Sequence, residues 1–220
     1  MLNHTDLVTQ IGAIGDIHTE DVLLDLVLSF LAKQQPDLLV SVGDIVTGQG
    51  NVDRCCELLQ SHNVITVAGN HDRWFLSGNM QDFPNFTDST AVSSQTMDFL
   101  KALPQTYEFT SPRGSVLICH GLGTNDMADL KPEDYGYAIE ANLDLQELIH
   151  SQHYRFVVNG HTHCRMVRHF GDLTVINAGA LRSYEGSGFA MIDFESGHVH
   201  FFDIETGGKI VKSDSMPLNG

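Results

Sequence analysis

Basic residues are scarce in this sequence: 12 Lys and Arg stand against 28 Asp and Glu in 220 residues, a formal charge of −16. A surface this acidic repels polyphosphate backbones and anionic lipids, which excludes nonspecific nucleic-acid binding and membrane-surface binding. Cysteine is scarce as well. Cys55, Cys56, Cys119 and Cys164 show no paired spacing, so they make no disulfide framework and are expected to be reduced thiols. Long apolar runs are missing. The most apolar stretch, 22–32, contains Asp25 and is about half the length of a membrane span. The first nine residues hold no basic segment followed by an apolar one, which predicts no secretory leader and a cytoplasmic protein.

What is present is 42% apolar residues, enough for a core without disulfides, and a repeated text. Short apolar runs end in glycine and a polar tip, and helix-like residues follow. Residues 10–14 close on Gly15-Asp16-Ile17-His18; Thr19 is then a candidate N-cap, and Glu20 and Asp21 suit the positive end of a helix reaching about Gln34. Residues 37–42 end in Gly43-Asp44, after which Asn51 can cap a helix through Leu59. Residues 64–68 end in Gly69-Asn70-His71-Asp72. This β-α-β-α-β order predicts a parallel sheet with covering helices. Residues 73–92 read as a long excursion, and 94–103 as a helix stopped by Pro104. The turn Ser111-Pro112-Arg113-Gly114 joins strands at 107–110 and 115–119, the second running into His120-Gly121. A second excursion, 122–138, precedes a helix at 141–150 and a strand at 156–158 that closes on Gly160-His161-Thr162-His163. Strands follow at 165–170, 173–177, 188–194 and 198–204. A single domain is expected over 1–205, with 206–220, rich in Gly, as a flexible tail.

Five strand ends thus carry Asp16 and His18, Asp44, Asn70 and His71, His120, and His161 and His163. In open α/β sheets the functional crevice lies beyond the carboxyl ends of the strands, so residues spread along the sequence can converge there. Imidazole nitrogen mixed with carboxylate and amide oxygen suits Mn²⁺, Fe or Zn²⁺ better than Ca²⁺ or a thiolate zinc site. A carboxylate bridging two such ions can activate a hydroxide while the ions clamp phosphate oxygens, and phosphate ester hydrolysis is the natural fit.

These five motifs, in this order, resemble the calcineurin-like metallophosphoesterase superfamily, over residues 11 to about 180, and the short chain resembles its small bacterial and archaeal phosphodiesterase-like members. The resemblance implies a four-layer α-β-β-α sandwich of two mixed β-sheets flanked by helices. It implies two divalent ions, Mn²⁺ by preference, with Fe, Zn²⁺ or Ni²⁺ as alternatives. One ion would take Asp16, His18, the bridging Asp44 and His163, and the other Asp44, Asn70, His120 and His161. His71 would lie beside them, contacting the phosphate or protonating the leaving group. The reading is a dinuclear hydrolase that attacks a small phosphodiester with a metal-bridging hydroxide. The alternatives are a phosphomonoesterase or protein phosphatase of the same superfamily, or a non-catalytic metal-binding scaffold.

Two positions depart from the pattern of the protein phosphatase-like members. After Gly43-Asp44-Ile45-Val46 comes Thr47, where those members have the carboxylate that orients the histidine of the third motif, and Gly48 follows in place of a phosphate-binding Arg. The absent Arg favours diesters, because a monoester dianion needs more positive charge than a diester monoanion. Arg73 and Arg182 are the substitute candidates for a phosphate contact, with surface ion pairs as the competing role. Thr19 stands where Gly is usual, an exchange expected to be neutral. Asp72 is expected to serve as a local cap or turn acceptor. Cys119 is expected to pack in the core, and His198 and His200 to lie on a solvated strand face. The aromatic residues of the excursions, Trp74, Phe75, Phe83, Phe86, Tyr135 and Tyr137, could wall a pocket or close a satellite core.

Overall fold

The computed structural model describes residues 7–79, 86–182 and 186–218. In chain order the elements begin with β1 (Gln10–Ile14), α1 (Asp21–Gln34), β2 (Leu38–Ser41), α2 (Val52–Ser61), β3 (Ile65–Thr66), α3 (Asn70–Ser77) and α4 (Ser94–Ala102). Then come β4 (Thr106–Ser111), β5 (Gly114–Cys119), α5 (Tyr137–Glu140), α6 (Leu143–Ser151), β6 (Phe156–Asn159), β7 (Met166–Phe170), β8 (Leu173–Asn177), β9 (Gly188–Asp193), β10 (His198–Ile204) and β11 (Ile210–Pro217). No helix among the described residues is long and apolar enough to cross a membrane.

An apolar run can be a strand when both its faces are covered, and the central strands are built that way. Ile11 and Ala13 of β1 point into a layer shared with Val116 and Ile118 of β5, Phe156 and Val158 of β6, and Phe194 and Phe201. Ile14 faces the other way, against Leu24, Val27, Leu28 and Leu31 of α1. Gly12, on that same outer face, leaves room for the helix: a Cβ there would stand 2.9 Å from Leu31 and Leu39. In the second half of the chain the alternate residues Leu117, Cys119, Val157 and Val175 pack under Leu145 and Leu148 of α6. Period-two alternation therefore sorts one set of side chains between the sheets and the other beneath helices, giving four layers.

The first sheet runs β11-β10-β9-β1-β2-β3 and the second β4-β5-β6-β8-β7. Both are mixed. β1, β2 and β3 are parallel, as are β5, β6 and β8, whereas β9, β10, β11, β4 and β7 join antiparallel. The carboxyl ends of the parallel strands of both sheets lie at one end of the sandwich, and the five motifs are the turns that leave them.

Three local expectations are corrected. The segment expected as a tail instead supplies strand β11, paired with β10 from Ile210 to Pro217 across a bulge at Phe201/Phe202, and Leu218 beyond it is buried. Its glycines form the turn into that strand rather than a frayed end. Thr19 is not the N-cap of α1; its own φ is +60°, Glu20 precedes the helix, and Thr19 Oγ1 instead accepts from Gly50 N–H at 2.9 Å. The first excursion contains a helix, α3, which starts inside the third motif and stops at Gly78 in the left-handed region. Its polar first turn, Asn70 to Arg73, masked the helical period of Trp74 and Phe75. Phe83 lies outside the described residues. Asn51 caps α2 as expected, accepting from Arg54 N–H at 3.0 Å.

Candidate metal centre

Three of the five motifs, those of His18, Asp44 and His161 with His163, leave their strands through strained turns. Asp44 has φ +50°, His18 +47°, His161 +67° and His163 +60°, left-handed values that cost a non-glycine residue and persist where the surroundings fix them. The turns also touch one another. A Cβ on Gly69 would stand 2.1 Å from Asp44 Oδ1, and one on Gly160 2.5 Å from Asp16 Oδ2. Glycine in these motifs is thus what lets the backbone of one turn rest on the carboxylate of another.

Asp16, His18 and His163 bring donor atoms within 4.8 Å of one another, and so do Asp16, Asp44 and His120. His18 Nε2 and His163 Nε2 are 3.1 Å apart, and His163 Nε2 is 3.6 Å from Asp16 Oδ1. On the other side, Asn70 Oδ1 lies 2.8 Å from His120 Nε2 and 2.9 Å from His161 Nδ1. Both carboxylates span the two groups. Asp44 Oδ2 is 3.9 Å from His18 Nε2 and 3.5 Å from His120 Nε2; Asp16 Oδ1 is 3.9 Å from His120 Nε2. Asp16 accepts the His161 N–H with both oxygens, whereas Asp44 accepts the His71 N–H through Oδ1 and keeps Oδ2 turned inward.

The donor set fits divalent cations. His120 Nδ1 donates to the Val42 carbonyl at 2.7 Å and His18 Nδ1 to that of Val46 at 3.3 Å, which leaves the Nε2 lone pairs facing inward. His120 then directs a lone pair at Asn70 Oδ1, an acceptor against an acceptor, which a cation between them relieves. Two nitrogens bound at about 2.1 Å and about a right angle apart stand about 3 Å from each other, as His18 and His163 do. The electrostatics agree. In the chain alone, burial drives the Asp16 carboxyl up to about 7, with His120 pulling it down and Asp44 pushing it up. Burial first and then Asp72 hold Asp44 well above the usual carboxylate range. Burial pushes His18, His71 and His163 down to about 4, and His161 in the same direction, so these imidazoles are neutral near pH 7. Two buried carboxylates without a counter-ion are costly, and divalent ions are the compensation such a pocket is shaped for.

His71 stands beside this array. Its Nε2 is 3.9 Å from Asp44 Oδ2, and its ring meets His18 edge-on at 5.1 Å and Trp74 at 5.1 Å. Thr47, the residue at the place of an orienting carboxylate, sets its Oγ1 3.0 Å from His71 Nδ1. The two candidate phosphate contacts are each engaged with a carboxylate. Arg73 grips Asp126 through Nε and Nη2 at 2.6 and 2.9 Å, and Arg182 Nε is 4.0 Å from Glu20. Cys119 is buried in the core, and Cys55, Cys56, Cys119 and Cys164 form no disulfide among the described residues. Of the excursion aromatics, Trp74 and Phe75 pack against the core while Tyr135 and Tyr137 are exposed.

Two supporting residues were not anticipated in full. Asp72 accepts from Gly69 N–H, as a cap should, but also from Ile45 and Val46 N–H, tying the second motif to the third. Asn177 donates to the Gly160 carbonyl at 2.6 Å and to Thr162 Oγ1, and accepts from Gly179 N–H, so it braces the last motif from β8. The cue for Asn177 was a polar residue ending an apolar strand before Ala178-Gly179.

The calcineurin-like phosphoesterase superfamily domain matches residues 10–197. Over 119 residues the chain is 28% identical to an uncharacterized protein of Methanocaldococcus jannaschii; the match spans 51% of this chain and about half of that curated relative, 49%. A metallophosphoesterase from Sphaerobacter thermophilus superposes with a TM-score of 0.67 at 21% identity, covering 90% of this chain and 89% of that one. The phosphoesterase Yfce from E. coli superposes with a TM-score of 0.58 at 17% identity, covering 96% and 100%. At these identities the structural likeness establishes the sandwich fold.

Proposed function

The chain belongs to the calcineurin-like phosphoesterase superfamily of metal-dependent phosphoester hydrolases, and on that premise we propose that it hydrolyses small phosphodiesters at a centre of two divalent ions. Asp16, His18, Asp44 and His163 would hold one ion, and Asp44, Asn70, His120 and His161 the other, with Mn²⁺ as the proposed metal. The ions would polarise the phosphoryl oxygens and make a water nucleophilic at neutral pH. The observation that carries the reading is the inward convergence of neutral imidazole lone pairs and two buried carboxylates from both sheets. Asp44 suits the bridging place because its Oδ2 is not engaged by a backbone N–H, unlike both oxygens of Asp16.

The chain's own residues favour a monoanionic diester. Arg73, two residues from His71, is neutralised by Asp126, so no guanidinium from that helix is offered to a monoester dianion. The surrounding negative charge disfavours long polyanions and selects substrates small enough to enter the cleft. A cytoplasmic setting is part of the same proposal.

The test is turnover of bis-p-nitrophenyl phosphate against p-nitrophenyl phosphate after chelation and return of Mn²⁺, Ni²⁺ or Zn²⁺. Faster diester hydrolysis, abolished in Asp44→Asn, is expected. Faster monoester hydrolysis overturns the preference. Metal-independent turnover that survives Asp44→Asn overturns the two-ion centre, and no turnover at all overturns the hydrolase reading.

A further inference from the structure

We infer that the cleft beside the proposed second ion, between α3, α4 and the loop after β5, receives one organic arm of the phosphodiester: an apolar, ring-sized group with a negatively charged outer end. That the occupant is a substrate arm rests on the phosphodiesterase reading; that the cleft binds such a group does not.

The cleft has a volume of about 350 Å³, within the range of ligand pockets, and His120, Arg73, Leu76, Leu100, Lys101 and Leu103 are among its walls. His120 ties it to the metal centre, since that residue is buried and its Nε2 lies 2.8 Å from Asn70 Oδ1. Helix α3 makes the same connection. Asn70 is its first residue, Arg73 and Ser77 follow on the same face and Leu76 stands beside them, so the helix leads from a proposed ligand out along the cleft. At about 1.5 Å per residue, Leu76 stands about 9 Å along the axis from Asn70, a reach that needs an arm with at least one ring.

The lining is graded from inside to outside. Leu100 is 1% exposed and Leu103 half-buried, which gives an apolar floor, while Leu76, 37% exposed, forms the lip. An arm laid between them removes apolar surface from water on both of its sides. Lys101 stands at the rim, in the last turn of α4, exposed and paired with no carboxylate among the described residues. Arg73 is held by Asp126, which also lines the cleft, so their charges cancel and Lys101 leaves the lining one positive charge in a chain of −16. A local positive charge against that background selects an anion at the outer end of the arm, away from phosphorus. The adjoining cavity on the far side of Gly123 and Thr124 is lined by Glu108, Asp144 and Glu147 and repels the same group. Leu76 and Lys101 are therefore the specificity-determining residues.

The probes are naphthoate and its neutral isostere naphthamide, titrated into metal-free protein, where no ion competes for the carboxylate, and followed in ¹H–¹⁵N backbone spectra. Both are expected to shift the amides of Leu76, Lys101 and Gly123, with naphthoate bound about threefold more tightly at low salt. Lys101→Met, which keeps the stem and loses the charge, removes that preference. Leu76→Gln, a good helix former at an exposed position, keeps the length of the side chain and weakens both probes about fivefold. On Mn²⁺-loaded protein the same variant raises KM for bis-p-nitrophenyl phosphate about fivefold and leaves kcat within about twofold, the mark of lost substrate binding. Shifts that are absent or centred elsewhere overturn the inference, as do equal binding of the two probes by the wild type and equal behaviour of wild type and Leu76→Gln. If the probes bind as expected and no diester is turned over, the phosphodiesterase reading fails and the cleft stands as a site for such a group. If the diester is turned over with KM unmoved by Leu76→Gln, the reading stands and the assignment of the cleft to a substrate arm is overturned.

Discussion

Asp16→Asn is expected to stabilise the metal-free protein at neutral pH and to do nothing for it in acid. Asp16 is completely buried at the end of β1, and burial is the chief reason its pKa stands at about 7 instead of the ordinary 3.8. In the unfolded chain the carboxyl ionises near its ordinary value, so between these limits the folded state binds a proton that the unfolded state has released. The contribution of Asp16 to stability is therefore complete below pH 4 and declines as pH rises toward 7, by about 1.4 kcal/mol per pH unit, or about 4 kcal/mol in all. Asparagine keeps the shape and one oxygen for the His161 N–H, and it has no proton to lose. The gap in unfolding free energy between variant and wild type should open by about 4 kcal/mol from pH 4 to pH 7 and stay level above that, a large share of the total stability of a domain. The histidines depressed to about 4 by burial are common to both proteins and cancel from the difference to first order. Urea unfolding of chelator-treated protein, followed by circular dichroism at each pH, measures the gap. Added Mn²⁺ should close it, since an ion at 1,000 times its Kd contributes about 4 kcal/mol to the wild type and the variant has lost a ligand. A gap that does not vary between pH 4 and 7 would refute the reasoning.

Gly160→Ala sets a methyl 2.5 Å from Asp16 Oδ2 and 2.5 Å from Val42 Cγ2, so it should cost about 1–3 kcal/mol of stability and weaken metal affinity about 10- to 100-fold, read by thermal unfolding and metal titration. Asp37 accepts from Thr9 N–H, Thr9 Oγ1 and Gln10 N–H; burial raises its pKa, but these bonds together outweigh it and hold the carboxyl below its ordinary value. Asp37→Ala should therefore cost about 1 kcal/mol at pH 7, a difference that closes as pH falls below the ordinary carboxylate range, checked by urea unfolding at pH 7 and pH 3.

The strand ends were legible because chemistry and topology coincide there: a buried parallel strand reads as an unbroken apolar run, and Asp, Asn or His directly after Gly is conspicuous against it. The two-sheet packing came from family resemblance, since alternation assigns residues to opposite faces without saying what covers each face. What escaped was local or distant. α3 was hidden because its first turn consists of motif residues. β11 was hidden because an edge strand with Lys212, Ser213, Asp214 and Ser215 facing solvent lacks the apolar signal of a central one. Thr19 was expected to be neutral, yet it sits at φ +60° with its hydroxyl bonded to Gly50, a backbone role no side-chain pattern displays. Asp72 and Asn177 brace motifs across gaps of 26 and 17 residues, spans over which spacing carries no information.

The distribution of the proposed ligands between the sheets has a mechanical meaning. Asp16, His18, Asp44 and Asn70 follow β1, β2 and β3 of one sheet, whereas His120, His161 and His163 follow β5 and β6 of the other. Each ion so held would take ligands from both, and coordination bonds, unlike the apolar layer behind them, resist sliding as well as separation. The pair of ions would act as rivets at one end of the sandwich, fixing the register of the two sheets. Neither rivet can be set until His161 and His163, late in the chain, have docked against Asp16 and Asn70, so metal capture would follow closure of the sandwich and record that it is complete.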